Sequence, residues 1–157
     1  MEFTTDILSL FDKKWALVTA GDISDFNAMT ISWGAMGTLW SKPTATVYIK
    51  PVRYTHDFME ANDYFTISFF EEKYRGALKI LGTKSGRDGD KMAETKLTPV
   101  RIGENIVGYV QAYRTLVCRK IYRQDLELSP MPEAVRETYY EKEAPHTMYI
   151  GEIVGIG

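Results

Sequence analysis

The chain has 157 residues, 45% of them hydrophobic and 25% charged, with 12 Gly and 6 Pro, which excludes disordered, collagen-like and coiled-coil architectures and leaves enough apolar side chain for one core. Lys and Arg number 19 against 21 Asp and Glu, a net charge of −2, which argues against general nucleic-acid binding, since that draws on summed positive charge, and still permits one local basic pocket. The lone Cys118 rules out an internal disulfide and every cysteine-pair metal motif.

Residues 1–11 mix acids with apolar side chains and lack a basic start, a long apolar run and a small-residue cleavage site, so no export signal is expected. No stretch approaches the ~18–20 apolar residues of a membrane-spanning helix, and a cytoplasmic protein without membrane partners is the expectation. Strand signals fall at 15–20 and 28–34, then at 44–50, where Ala45, Val47 and Ile49 share one face. Thr55 has the chemistry of an N-cap and predicts a short helix to about Ala61. A strand over 64–70 groups Phe65, Ile67 and Phe69. A helix over 72–81 follows from Tyr74, Ala77, Leu78 and Leu81 at i, i+3, i+4 and i+7, with Gly82 placed for a left-handed cap. Strands over 107–122 and 147–154 follow, and Cys118 shares a strand face with Leu116, as a small core hydrophobe would. Strands dominate and no βαβα alternation appears. The expected architecture is mainly β, a closed or nearly closed barrel with a few short helices, in one domain over 1–157.

Standard dinucleotide, P-loop, serine-hydrolase, zincin and EF-hand motifs are absent, and with only His56 and His146 a histidine-rich metal site is not expected. Two segments have the chemistry of anion cradles. Arg53-Tyr54-Thr55 stands ahead of a helix start, where free amides, the helix dipole and a guanidinium together favour a phosphate. The loop 82–91 puts three Gly beside Lys84, Ser85, Arg87 and Lys91, offering close backbone approach and several donors. Taken singly, each has an ordinary explanation: Thr55 as a cap, Arg53 in a surface ion pair, the loop as a solvated turn. Residues 27–43, with two Trp, two Met and hydroxyls, suit a flat aromatic ligand or plain core packing.

The order of these pieces is more specific than any one of them. Asn27-Ala28-Met29-Thr30-x-x-Trp33, Lys42-Pro43, Arg53-Tyr54-Thr55, Ser85-Gly86-Arg87-Asp88-x-x-Lys91 and His146-x-x-Tyr149-Ile150-Gly151-Glu152 together resemble the flavin reductase-like, or flavoredoxin, family from about Trp15 to Val154. The resemblance implies an antiparallel FMN-binding split barrel, a homodimer, and FMN held non-covalently near the subunit interface. It implies that Arg53 and Thr55 clamp the phosphate, with Ser85, Gly86 and Arg87 joining from the loop and Tyr54 and Lys84 beside them. Met29, Thr30, Ile31, Ser32 and Trp33 match the stretch that passes the flavin ring. Asp88 and Lys91, as a pair, are expected to brace the loop. His146 stands where many reductases of the family carry Gly-Asp-His, here preceded by Ala144-Pro145; it is a candidate nicotinamide contact or a strand-start histidine bonded to backbone. His56 is expected in the first turn of its helix.

The implied activity is an oxidoreductase in which electrons or hydride pass from NAD(P)H through FMN to a flavin or other acceptor. No protein nucleophile is needed, because the cofactor carries the chemistry. A flavoredoxin-like electron carrier fed by a redox protein is the alternative, and a barrel that has lost flavin or binds haem is a third reading.

Overall fold

Alternation of apolar and polar side chains marks the strands, and the computed structural model, which describes residues 1–157, contains nine of them. A short helix, α1 (Ile7–Asp12), is N-capped by the Asp6 carboxylate on the Leu8 amide. It leads into the hairpin β1 (Ala16–Asp22) and β2 (Asp25–Ile31), and then the hairpin β3 (Gly34–Leu39) and β4 (Lys42–Ile49). Helix α2 (Tyr54–Ala61), strand β5 (Tyr64–Phe69) and helix α3 (Arg75–Thr83) follow. After the glycine loop, β6 (Pro99–Gly103) and β7 (Ile106–Tyr109) form a small separate hairpin. Then come β8 (Arg114–Asp125), α4 (Glu133–Tyr139) and β9 (Thr147–Ile156). No helix is long and apolar enough to cross a membrane.

Seven strands make one antiparallel sheet in the order β2-β1-β5-β8-β9-β4-β3. Its two edges, β2 and β3, are joined in the chain by Ser32 and Trp33 alone, so the sheet has to roll until its edges nearly meet. The fold is an antiparallel split barrel, mainly β with a few short helices. Its interior holds the alternating residues foreseen for the strands: Ala45, Val47 and Ile49 from β4, and Phe65, Ile67 and Phe69 from β5, with Leu116 and Cys118 of β8. A second, smaller core forms outside the barrel, where Leu17 and Ala28 of the first hairpin meet Leu78 and Leu81 of α3 and Tyr109 of β7. Each of those leucines, fully buried, contributes ~1.5–3 kcal/mol. The strand β1 is therefore covered on both faces, and its Thr19 hydroxyl is matched by the Tyr109 hydroxyl at 2.8 Å.

Several expectations are corrected. The strand over 107–122 is broken: β7 stops at Tyr109, the Ala112 amide turns back to the Tyr109 carbonyl (3.2 Å), and the Gln111 side chain holds the Thr98 amide (2.8 Å) before β8 begins. The strand over 28–34 is the end of β2 and the first residue of β3. The β3–β4 turn places Trp40 and Ser41 at φ 52° and 58°, a left-handed pair for which Asn-Gly is the usual sequence signal. The second helix is capped by the backbone of Arg53, and Thr55 lies buried inside it. Gly82 is helical, not a left-handed cap, and α3 continues through Thr83. Gly82 packs closely on β2: a Cβ there would stand 3.1 Å from the Thr30 Cβ, and Thr30 would have to give by a few tenths of an ångström. The strands β3 and β6 and the helices α1 and α4 were not foreseen.

Candidate functional site

Met29, Thr30, Ile31, Ser32 and Trp33 line a cavity of about 190 Å³ together with Tyr48, Arg53 and His146. Residues far apart in the chain thus meet at the split of the barrel. Alternation along β2 buries Met29 and Ile31, while the Thr30 hydroxyl donates to the Leu78 carbonyl and ties β2 to α3. Because β2 is a sheet edge paired only to β1, alternate amides and carbonyls along its other side have no strand partner. Trp33, in the link between the edges, meets Tyr139 edge-on at 5.2 Å and His146 at 5.4 Å.

The Arg53 end of this cavity is electropositive. A helix leaves its last carbonyls unpaired, and at the end of α3 two cations take them. Arg53 Nη2 donates to the Gly82 carbonyl (3.1 Å), and Lys91 Nζ to those of Leu81 (3.2 Å) and Lys84 (3.1 Å). Neither cation forms an ion pair with a carboxylate, although Lys91 is buried. Burial, then the neighbouring Arg53 charge, pushes the Lys91 ammonium down to about 8. Burial also lowers Arg53, which stays cationic, with Glu143 opposing the shift. Arg53 is also the N-cap of α2, whose first amides, those of Tyr54 and Thr55, have no backbone acceptor. Two crowded cations and a free helix N-terminus form a setting that a phosphate monoester would relieve.

The other predicted phosphate residues are distributed around this centre. The Thr55 hydroxyl accepts from Asn27 Nδ2 at 2.8 Å, leaving its own hydrogen to donate. Tyr54 and Gly86 border an adjoining hollow of about 290 Å³ that includes Lys91. Gly86 packs so closely that a Cβ would lie 2.2 Å from Asn27 Oδ1. Lys84 and Ser85 border a third hollow, also reached by Lys91. Lys84 is paired with Glu94 at 2.5 Å, and Ser85 Oγ accepts the Arg87 amide at 3.2 Å. Arg87 bonds Asp57 (2.9 Å) and the Val52 carbonyl (3.0 Å) and lies over the Tyr54 ring, so its charge is matched locally. The structure therefore joins residues 29–33 with Arg53 and His146, sets Tyr54 and Gly86 beside them, and holds Lys84 and Arg87 in ion pairs.

Lys91 does not pair with Asp88 as expected; the helix carbonyls hold it. Its place in the site was not foreseen, and the signal was available in its quoted motif and its position one loop beyond α3. Tyr48, Tyr139 and Tyr140 were missed as well. His56 does stand in the first turn of α2, its Nε2 2.9 Å from the Thr147 hydroxyl, which donates to Asp125 (2.7 Å). The His146 ring is bonded to a side chain rather than to backbone: Nδ1 lies 2.7 Å from the Tyr140 hydroxyl. Burial, then the Lys50 charge, pushes His146 down to about 4 against the pull of Glu143, leaving it neutral at pH 7.

The sequence profile of the Flavin reductase like domain matches residues 8–157. The chain belongs to the flavin reductase-like family. Members of this family bind flavin, and the edge amides of β2 and the paired cations fit a heterocycle with a phosphate tail. Solved structures share the fold. A flavoredoxin of Desulfovibrio vulgaris (Miyazaki F) is 22% identical with a TM-score of 0.71, over 100% of this chain and 76% of its own. An FMN-binding protein from Thermus thermophilus with bound 1-cyclohex-2-enone is 18% identical with a TM-score of 0.71, over 100% and 76%. An NADH:FAD oxidoreductase of Streptomyces globisporus is 15% identical with a TM-score of 0.69, over 96% and 79%. No curated protein matches this flavin reductase-like chain.

Proposed function

We propose that this chain is an FMN-dependent oxidoreductase, which takes electrons from NAD(P)H and delivers them to a free flavin or another acceptor. The observation that carries the reading is the junction of a ring-sized cavity along residues 29–33 with the uncompensated cations Arg53 and Lys91. Bound FMN would supply the hydride and electron chemistry. The chain's own residues do the rest. Arg53, Lys91 and the Tyr54 and Thr55 amides bind the phosphate, with the Thr55 hydroxyl as an added donor, and Ser85, Gly86 and Arg87 close the loop over that side. Met29, Ile31, Trp33 and Tyr48 exclude water from the ring, and the free edge of β2 donates and accepts at its rim. A phosphate clamp favours FMN over unphosphorylated flavin, and FAD, with its longer tail, would need the hollows beyond Lys91.

The chain acts as one flavin-binding unit and as a homodimer. Support for the dimer comes from the outer face of β3, β4, β9 and β8, which leaves Trp40, Tyr122 and Val154 exposed beside the unpaired β3 edge. An electron carrier remains a second reading, because a flavoredoxin matches the fold as well as an NADH:FAD oxidoreductase does. One experiment separates the two. Purified protein is loaded with FMN, checked by its visible absorbance, and mixed anaerobically with NADH or NADPH. Bleaching at catalytic rates supports the reductase; slow bleaching with fast reduction by an iron–sulfur protein supports the carrier. Failure to take up FMN refutes both.

A further inference from the structure

The cavity has one wall that flavin binding does not account for. His146 lies between Trp33 and the two tyrosines that end α4, with its ring centroid 5.4 Å from Trp33 and 5.6 Å from Tyr140. This wall is tied to the barrel by Lys50 at the end of β4, whose ammonium bonds the Tyr139 carbonyl (3.2 Å) and the Glu143 carboxylate (2.8 Å) and stands 5.6 Å from the Tyr140 ring. His146 Nδ1 has one partner, the Tyr140 hydroxyl at 2.7 Å. Its Nε2 has no hydrogen bond within the chain and is not sealed from solvent, while the residue lines the cavity beside Arg53 and Tyr48.

We propose that Tyr140 is a positioning residue: its hydroxyl hydrogen, given to Nδ1, holds the His146 imidazole in the tautomer that carries its proton on Nε2, which then donates to a carbonyl or carboxamide oxygen of the redox partner in the cavity. The proposal rests on the flavin reading. The direction of the Tyr140 bond follows from the two groups. Burial, opposed by the Lys50 charge, raises the Tyr140 phenol above its ordinary value, so the hydroxyl keeps its hydrogen; a phenol O–H is a better donor than a neutral imidazole N–H and an imidazole lone pair a better acceptor than a phenol oxygen, which makes Nδ1 the acceptor. An uncharged imidazole has a single N–H, so an occupied Nδ1 lone pair puts that hydrogen on Nε2. The charged groups acting on the ring are Lys50, which opposes its protonation, and Glu143, which favours it and is itself paired with Lys50; Arg53 lines the same cavity. A second cation at this wall would be repelled by Arg53. A neutral N–H donor is not, and it selects an oxygen acceptor over a carboxylate-seeking charge.

The test compares wild type with Tyr140→Phe, which keeps the ring and removes the hydroxyl. Long-range ¹H–¹⁵N NMR on the protein reads the tautomer directly. The wild type should show a protonated Nε2 and an unprotonated Nδ1, unchanged between pH 6 and 8 as expected for a depressed imidazole. Tyr140→Phe should show a tautomer mixture and titrate closer to the ordinary histidine range. In FMN-loaded protein, Tyr140→Phe should raise KM for NADH or NADPH about three- to tenfold, the loss of one neutral hydrogen bond, with FMN Kd within about twofold. A proton on Nδ1 in the wild type, identical spectra in the two proteins, or an unchanged KM in a variant that still binds FMN each overturns this inference and leaves the flavin reading standing. Failure of the wild type to bind FMN overturns both.

Discussion

Replacing Arg53 by Ala removes one of the two cations at the end of α3 and leaves the Gly82 carbonyl without its donor. A charge-assisted hydrogen bond to a phosphate oxygen contributes ~1.5–3 kcal/mol. The bare Coulomb term for unit charges ~4 Å apart at an effective dielectric of ~20 is ~4 kcal/mol, which salt then screens. Lys91 stays in place and continues to neutralise part of the phosphate, so the expected loss is ~2–3 kcal/mol, or about 30- to 160-fold in the FMN Kd. Riboflavin has the same ring and no phosphate, and its Kd should change by less than about threefold. Quenching of flavin fluorescence by the flavin-free protein, titrated at one fixed ionic strength, measures both. The lost carbonyl partner costs about 1 kcal/mol of folding stability, or about 2–4 °C in Tm, so a melting curve checks that the variant is folded. Arg53→Lys restores the charge without the planar fork and should fall between the two. Equal losses for FMN and riboflavin would refute the phosphate clamp, and unchanged FMN affinity would remove Arg53 from the site altogether.

Phosphate binding is expected to weaken as pH rises through about 8, where Lys91 loses its proton; FMN binding near that pH should draw in a proton, seen as a buffer-dependent heat in calorimetry, and Lys91→Met should abolish both effects. For folding of the ligand-free protein the sign runs the other way. Between about 8 and the ordinary lysine value of 10.5 the unfolded chain holds the proton more tightly, so this group adds stability as pH rises across that window. Gly151→Ala places a Cβ 2.7 Å from both the Cys118 Cβ and the Phe65 ring, and this overpacking should cost ~1–3 kcal/mol, read as a Tm lower by several degrees without loss of the visible flavin bands. Thr147→Val keeps the shape of a fully buried side chain but strands the buried His56 Nε2, while the exposed Asp125 carboxylate keeps Arg123; about 1–3 kcal/mol of stability should disappear in a denaturant titration, with FMN affinity unchanged.

Local pattern was sufficient for much of the fold. Alternation marked the inner faces of β4 and β5 because a strand's side chains point to opposite sides whatever the rest of the chain does, and the i, i+3, i+4, i+7 spacing marked the buried face of α3 for the same geometric reason. The elements that escaped had no such local signal. The strand β3 sits at an edge with alternate residues exposed and turns through Trp40-Ser41, whose left-handed backbone the surrounding sheet imposes. The helix α4 is mostly polar, and Lys50, from another part of the chain, holds its end. The same division runs through the site. Arg53, the 29–33 stretch and the glycine loop were legible as residue types in order, since anion and ring chemistry requires certain side chains and spacings. Which cations stay uncompensated was not: Arg87 could have faced a phosphate, but folding brings Asp57 to it, whereas Lys91 and Arg53 are carried to helix carbonyls with no carboxylate near enough to pair. Charge type is a property of the residue; its neutralisation depends on neighbours supplied by distant segments, so only the folded chain decides it.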